Sequence, residues 1–404
     1  MQPERASSFQ PVLKFRGSAQ RRRIIVVCAL ILLSAWPSYA TYRYIRSRQF
    51  KSICESTRAK EDWLGLLESS GKWVQWNPDA AQGWWYAAEA AQELKDFEDL
   101  ARCLGNIPES DPKAILAYTE KANLEWTVLN RPLDAIRTST QVLEMDARVL
   151  EIHSRVISYY AMTMQRAPML KAIRNAIAAG AEPKETYTYI MMADVLAFTN
   201  GDTINTLWLS AEPDEVRFKI GLAIQTAVKL TMSEESLRTE ESVELNKEAA
   251  QQLDWFLENQ HGDPVLLSYM LHRAYLAGDV DGAAKLLIQV DDRGIDDHMI
   301  WVYRAWYHTM VDEFEEAEKS ILEAIRLHPM SPLAHHEYAN LLRRLQRSEV
   351  SDQQRIAAYG KQLRSDIMRI ESASDVTTVL LIQIQSYAEA CGDIQISKSI
   401  QKRL

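Results

Sequence analysis

The chain has 404 residues, enough for a large hydrophobic core, and 47% of them are apolar. It contains only 14 glycines and 13 prolines, which argues against a disordered chain or a turn-rich β-sandwich and favours helices. Residues 1–40 hold six basic residues and one acidic residue, so the rest has 40 basic and 54 acidic residues, a net charge of −14. Such an acidic body repels phosphate backbones, and we expect no nucleic-acid partner.

The N-terminal segment has the pattern of a membrane anchor. Residues 1–20 are polar and predict a disordered tail, and three arginines (21–23) follow. Ile24–Tyr42 is then free of charge for nineteen residues, about the number that crosses a ~30 Å hydrocarbon core as a helix. Trp36, Tyr39, Tyr42 and Tyr44 cluster at its end, as in an interfacial aromatic belt. We therefore predict a transmembrane segment over 21–45.

An alternative is a cleaved secretory signal. Ser38-Tyr39-Ala40 resembles a small-x-small cleavage site, so the body would be secreted after cleavage near Ala40. We favour the anchor because the basic region before the apolar run is long for a signal. Basic residues flank the span on both sides, with a slight excess before it, which favours a cytoplasmic N-terminus. Both alternatives place the body outside the cytoplasm.

After Glu61 the apolar residues recur at helical spacing, in pairs of helices. Glu61–Asn77 has the pattern of an aromatic-rich helix that is interrupted near Gly71. A better-formed pair covers 113–147, and a looser one covers 150–180. These patterns predict N-terminal helical repeats over 60–200.

The period is clearest after Pro264. Residues 34 positions apart match at three places in the pattern: Leu267, Trp301 and His335; Val280 and Phe314; Ala283 and Ala317. Gly278-Asp279 and Asp312-Glu313 mark turns, whereas the last unit, from Ser331, has no evident turn. We predict repeats over 264–404, closed by a capping pair of helices whose outer face is solvated.

The stretch Trp301–Pro329 contains, in order, a large aromatic, a small residue, a turn, an aromatic, alanine, a bulky apolar residue, alanine and proline. This order resembles the tetratricopeptide repeat (TPR) family, whose period is about 34 residues. The resemblance covers roughly 60–404 and is strongest at 264–345. It implies an all-α, right-handed solenoid of antiparallel helix pairs, whose groove is lined by first helices and binds peptides or protein segments. With its N-terminal span, the whole chain looks like a membrane-anchored bacterial-type TPR protein.

Between the two repeat segments, residues 203–260 lose the period. Glu212–Leu230 and Glu240–Glu258 are helical in composition, but their link is polar and acidic. We predict irregular helices here, with a mobile loop at 231–242.

The helical register also predicts a protein-binding surface. Trp84 and Trp301 hold the leading aromatic position of their repeats and are expected in the core. Positions that follow them face the groove, where aromatic side chains make rigid anchors. The candidate binding residues are Trp85, His272, Tyr275, Val302, Trp306, His336, Asn340 and Arg343. The alternative for this set is ordinary packing between repeats.

No residues point to catalysis, a metal or a cofactor. His335-His336-Glu337 is the densest cluster of possible ligands, but adjacent helical residues point about 100° apart. His298 and His308 are ten residues apart, which is no chelating spacing. No phosphate loop, dinucleotide fingerprint, G-x-S-x-G or H-E-x-x-H motif occurs. We expect a protein that is not an enzyme; the alternative is an active site hidden in 203–260.

Two functions fit these observations. The first is a membrane-tethered scaffold that binds peptides or protein segments of unknown partners in the repeat groove. The second is an accessory subunit or chaperone of an envelope assembly, such as polysaccharide export or protein folding.

Overall fold

The computed structural model describes residue 39 and residues 41–195, 200–232 and 240–404. In these residues all regular secondary structure is helical. The predicted tail, most of the predicted span Ile24–Tyr42 and most of the predicted loop at 231–242 lie outside them. No described helix combines the length and the apolar character that crossing a membrane requires.

The chain divides into two compact units, Met1–Asp111 and Pro112–Leu404. The described part of the first unit has the helices α1 (41–59), α2 (Trp63–Trp76), α3 (Ala81–Glu93) and α4 (Phe97–Gly105). Its core is aromatic, because Phe50 of α1 stacks on Trp73 of α2 at a centroid distance of 6.4 Å. Helix α2 continues through Gly71, so the predicted interruption is wrong; one glycine costs a helix only about 1 kcal/mol.

The second unit contains the remaining described helices. In chain order they are α5 (Ala114–Thr127), α6 (Pro132–Met145), α7 (Leu150–Met162), α8 (Arg166–Ala179), α9 (Thr186–Met191), α10 (Gly201–Ala211), α11 (Val216–Met232), α12 (Glu240–Asn259), α13 (Pro264–Ala277), α14 (Val280–Leu287), α15 (His298–Met310), α16 (Phe314–Leu327), α17 (Pro332–Arg344), α18 (Val350–Ile367), α19 (Thr378–Ala390) and α20 (Ile394–Arg403). Most successive helices pack as hairpins, for example α5 with α6 and α15 with α16.

The hairpin turns carry the repeat period. Eight of the described turns contain one residue in the left-handed backbone region, which reverses the chain: Glu61, Lys95, Asn130, Met164, Gly278, Asp312, Gln346 and Gly392. From Glu61 to Met164, and again from Gly278 to Gln346, successive turns are about 34 residues apart, the period of the TPR family. The period thus starts with α1, before residue 60. The unit from Ser331 does keep its turn, at Gln346, contrary to the sequence prediction.

A second repeated device explains the leading aromatic position. The indole Nε1–H of Trp84 donates to the Pro78 carbonyl at 2.8 Å, and that of Trp301 to the Ile295 carbonyl at 2.7 Å. His335 Nε2 contacts the Pro329 carbonyl at 2.7 Å in the same way. Each ring nitrogen therefore reaches a carbonyl six residues earlier, in the segment before its own helix, where helical hydrogen bonding has stopped. Trp84 and His335 are buried, whereas Trp301 is half-buried.

Residues 203–260 are more regular than the sequence predicts. Helices α10, α11 and α12 have 11, 17 and 20 residues and pack in succession. Among the described side chains of 200–228 and 247–260, the buried polar ones are Asn205 and Gln225, neither of which titrates. This segment therefore gives no support to a hidden active site there.

The C-terminal pair does more than cap the repeats. Helix α20 packs on α8, where the Arg174 guanidinium donates to the Asp393 carboxylate at 2.7 Å. The hydroxyl groups of Tyr187 and Ser399 lie 2.9 Å apart. Lys398 and Lys402 remain solvated, but the opposite face of α20 belongs to the large core that contains α7, α8 and α9. The last helix of the second unit, α20, thus packs against the much earlier helix α8.

Candidate functional site

Six of the eight predicted binding residues lie close together on the first helices of the best-formed repeats. Helix α15 packs against α13 on one side and α17 on the other. The polar and aromatic residues along these three helices form what we call the first-helix strip: His272, Tyr275, Tyr303, Trp306, His336, Glu337, Asn340 and Arg343.

Aromatic rings hold one end of the strip. The Tyr275 and Trp306 rings meet edge to face, with centroids 5.4 Å apart, and Tyr275 contacts Tyr303 at 5.8 Å. The Tyr303 hydroxyl lies 2.9 Å from Nδ1 of His272. Burial, together with nearby arginines, lowers the pKa of His272, and burial raises the pKa of Tyr303 well above its usual value. The phenol therefore stays protonated and donates to a neutral imidazole.

A buried carboxylate organises the other end. The Tyr275 hydroxyl donates to Glu337 Oε1 at 2.7 Å, and Asn340 Nδ2 lies 3.4 Å from the same oxygen. Arg343 Nη1 in turn donates to Asn340 Oδ1 at 3.1 Å. Burial and the charge of Glu337 raise the pKa of Tyr275, which keeps the hydroxyl a donor. The strip thus presents a connected chain of polar groups that ends in the exposed side chain of Arg343.

Three predicted residues are placed differently from the prediction. Val302 is fully buried and Trp306 is 8% exposed, because α15 is flanked by first helices on both sides. Val302 therefore belongs to the core and offers no contact surface, and Trp306 offers only an edge. Trp85 is a half-buried residue of the first unit and is not part of the strip; its indole nitrogen has no hydrogen-bond partner among the described residues.

Sequence reasoning missed Tyr303 and Glu337. Tyr303 stands two positions after the leading Trp301, and Glu337 stands two after His335, so both hold the same position of the repeat. By sequence, Glu337 is a candidate only as a metal ligand beside His335 and His336. In the structure His335 turns away from the other two and contacts Pro329 and Gln353. The exposed His336 comes within 3.8 Å of Glu337 Oε1, the oxygen that accepts from Tyr275.

A second polar system lies at the N-terminal ends of the same helices, and it is buried. Asp194 Oδ1 accepts from His298 Nε2 at 2.8 Å, while Oδ2 accepts from the Ser331 hydroxyl at 3.0 Å and the Leu333 amide at 3.2 Å. The Arg364 guanidinium lies 3.7 Å from Oδ2. Burial alone would raise the pKa of Asp194, but these partners, His298 foremost, hold it below its usual range.

An ion pair continues this system. Arg166 Nη1 donates to Asp297 Oδ2 at 2.7 Å and to the Ser268 hydroxyl at 2.9 Å, and its Nε donates to the Ala193 carbonyl at 2.6 Å. The His298 and His328 rings meet edge to face at 4.7 Å. We call this set the buried ionic cluster: Arg166, Asp194, Asp297, His298, His328 and Arg364. Its members come from five parts of the second unit.

Asp194, His298 and His328 are close enough to suggest a metal site, since one ligand atom from each lies within 4.8 Å of the others. The carboxylate, however, already accepts three hydrogen bonds, and its charge is balanced by Arg364. A divalent cation here would be a buried charge beside guanidinium groups, which is costly. We therefore interpret the three residues as part of a structural ionic cluster. Sequence spacing gave no signal for it, because His298 is 104 residues from Asp194.

Comparison with known proteins identifies no family for this chain. No protein-family model and no curated protein matches the chain. Among solved structures, one match is to the APC/C hetero-tetramer Cut9–Hcn1, with 10% identity over 89% of this chain and 86% of that one, at a TM-score of 0.32. Human IFIT1, solved as a dimer with m7Gppp-AAAA, has 12% identity over 87% and 78%, at 0.30. Yeast Tom70 has 11% identity over 89% and 88%, at 0.26. At such TM-scores these likenesses carry no argument.

The fold class follows from the arrangement of the described helices. In the described residues, the antiparallel helix pairs, the regular spacing of turns and the recurring ring-to-carbonyl bond form an all-helical array of TPR-like repeats.

Proposed function

We propose that the chain is a membrane-tethered scaffold whose first-helix strip binds a segment of another protein. The observation that carries the proposal is the connected series Trp306–Tyr275–Glu337–Asn340–Arg343, which crosses three consecutive first helices. Aromatic edges beside a positive, partly solvated end are features of protein-binding hot spots. The tether rests on the uncharged run Ile24–Tyr42, and it would hold the body outside the cytoplasm.

The strip favours binding over catalysis. Its acidic group, Glu337, is engaged by Tyr275 and Asn340, and the more buried of its two histidines, His272, accepts from Tyr303. Neither Glu337 nor His272 is left as a free base or nucleophile. The scaffold needs no cofactor, and its partner is a protein.

The test must avoid residues that also hold the core. Replacing Trp306 or Tyr275 by alanine would remove packing from a buried cluster, so lost binding and lost fold would be confused. Arg343 and His336 are exposed and suit the purpose. Crosslinking in membranes identifies the partner, and titration with the purified partner then gives the Kd of each variant.

We expect the Arg343→Glu and His336→Ala double variant to weaken binding by roughly tenfold or more, as for loss of a hot-spot contact. Arg326→Glu is the matched control, since Arg326 is an exposed arginine on the second helix α16. Equal affinity of the double variant and the wild type, with unchanged circular dichroism, would remove the strip as the binding site.

A further inference from the structure

A second surface lies at the start of α1, outside the aromatic core of the first unit. Seven of the nine residues 41–49 are exposed. Tyr39, Tyr42, Tyr44 and Ile45 are between 51% and 59% exposed, which is unusual for such apolar side chains in one short segment. We call the following residues the tyrosine–arginine collar: Tyr39, Tyr42, Tyr44, Ile45, Arg46 and Arg48.

The collar carries positive charge that no carboxylate among the described residues neutralises. Arg46 stacks on Phe50 at 4.9 Å and Arg48 on Tyr44 at 5.2 Å. Within the described residues, neither arginine has a carboxylate at ion-pair distance, whereas several exposed arginines of the body, such as Arg347 with Glu318, are paired. Residues 5–54 contain ten lysines and arginines and no acidic residue, in a chain with 55 acidic residues.

The position of the collar in the chain indicates its partner. The fifteen residues 24–38 are uncharged, and they lead directly into the collar. Tyrosine rings combine an apolar body with a polar hydroxyl and settle at the level of lipid headgroups. Arginine beside them can donate two hydrogen bonds to one phosphate. Exposed Ile45 and the preceding apolar run favour a lipid surface over a nucleic acid, whose backbone offers no apolar phase.

We propose that the tyrosine–arginine collar binds the phosphate groups of anionic lipids in the headgroup layer, next to the predicted span. The inference rests on the membrane tether of the proposed function and adds a lipid class and a site. Bound in this way, the first turns of α1 would be shielded from solvent by lipid.

Protease protection in a lipid bilayer tests the proposal. The full chain is incorporated into nanodiscs of phosphatidylcholine, with or without phosphatidylglycerol, and treated with chymotrypsin. Cleavage after Tyr42 and Tyr44 is measured by mass spectrometry relative to cleavage after Trp255, an exposed residue of the second unit. We expect phosphatidylglycerol to slow collar cleavage by roughly tenfold, and high salt to reverse the effect.

The matched variants remove two charges each. Arg46→Gln with Arg48→Gln should abolish the effect of phosphatidylglycerol, while Arg43 keeps its hydrogen bond to Asn77. Lys60→Gln with Lys72→Gln, which removes the same charge from exposed positions further along the first unit, should leave it intact.

The outcomes separate this inference from the tether. Incorporation into nanodiscs with equal cleavage in both lipid mixtures would overturn the collar and leave the tether standing. Failure to incorporate would overturn both. Equal protection by poly(U) RNA on phosphatidylcholine nanodiscs would show a general polyanion site, and the lipid assignment would be wrong.

Discussion

The first helices α15 and α17 carry two polar systems that differ in burial. At their N-terminal ends, Asp297, His298 and Ser331 join the buried ionic cluster. Toward their C-terminal ends, Trp306, Asn340 and Arg343 belong to the first-helix strip, which is partly solvated. A buried charge must keep its partners or destabilise the fold, whereas a solvated one can exchange water for a ligand. The same helices can therefore hold the unit together at one end and bind at the other.

The largest expected effect is at the buried ion pair. Arg166→Ala leaves Asp297 without its main partner in a site where the two side chains are only 9% and 5% exposed. We expect the free energy of unfolding to fall by about 3–5 kcal/mol, as measured by urea denaturation of the full chain in detergent. The control Arg326→Ala removes an exposed pair and should cost about 0.5 kcal/mol. A cost for Arg166→Ala as small as the control's would mean that the cluster does not hold the fold.

Acid provides a second, smaller perturbation of the buried cluster. Burial, with His298 and nearby arginines, holds the pKa of His328 well below its usual value. Below about pH 6.5 the unfolded histidine therefore binds a proton while the folded one stays neutral. Proton binding then favours the unfolded state, so the free energy of unfolding is highest above about pH 6.5 and decreases as the pH falls. Between pH 7 and pH 5 the loss from His328 is at most about 2 kcal/mol, and His272 adds to it in the same direction.

The measurement is the free energy of unfolding at both pH values, for the wild type and for His328→Gln. The variant should show a shallower dependence on pH. The lowered pKa of Asp194 acts in another window, since its contribution is lost only below about pH 4. An unchanged slope in the variant would show that His328 is not the group that titrates.

Within the strip, Tyr275→Phe tests how much the half-buried hydroxyl contributes to stability. The change deletes the hydroxyl that donates to Glu337 and keeps the ring that contacts Trp306. We expect a loss of about 1 kcal/mol in the free energy of unfolding, because Asn340 and water can still reach the carboxylate. Tyr307→Phe, on the neighbouring helix α15, is a control for the loss of a hydroxyl. A cost above that of Arg166→Ala would reverse the proposed order of the two systems.

The smallest effect is expected at the solvated end. Arg343→Ala removes an exposed side chain whose hydrogen bond to Asn340 is itself exposed, so stability should change by less than about 0.5 kcal/mol. Thermal melting followed by circular dichroism measures this. A large drop in the melting temperature would assign Arg343 to the structure instead of to binding.

Much of the local structure is present in the sequence. The constant spacing of Leu267, Trp301 and His335 places the helix pairs α13 to α18, since side-chain periodicity and turn residues act over short distances. The sequence pattern does not predict which side of a helix is covered by neighbouring helices. The register places Val302 and Trp306 in the groove, but α13 and α17 both pack on α15 and bury them. Burial depends on neighbours that a single helix does not specify.

Sequence patterning is thus enough to predict the helical class, the repeat period and the charge contrast between residues 5–54 and the acidic body. The tertiary structure is needed to show that Asp194 bonds to His298, that Arg166 bonds to Asp297 and that α20 packs on α8. The reason is physical. Hydrophobic periodicity acts within a few turns of helix, whereas buried polar groups take whichever partner the packed unit brings near, and those partners lie far away along the chain.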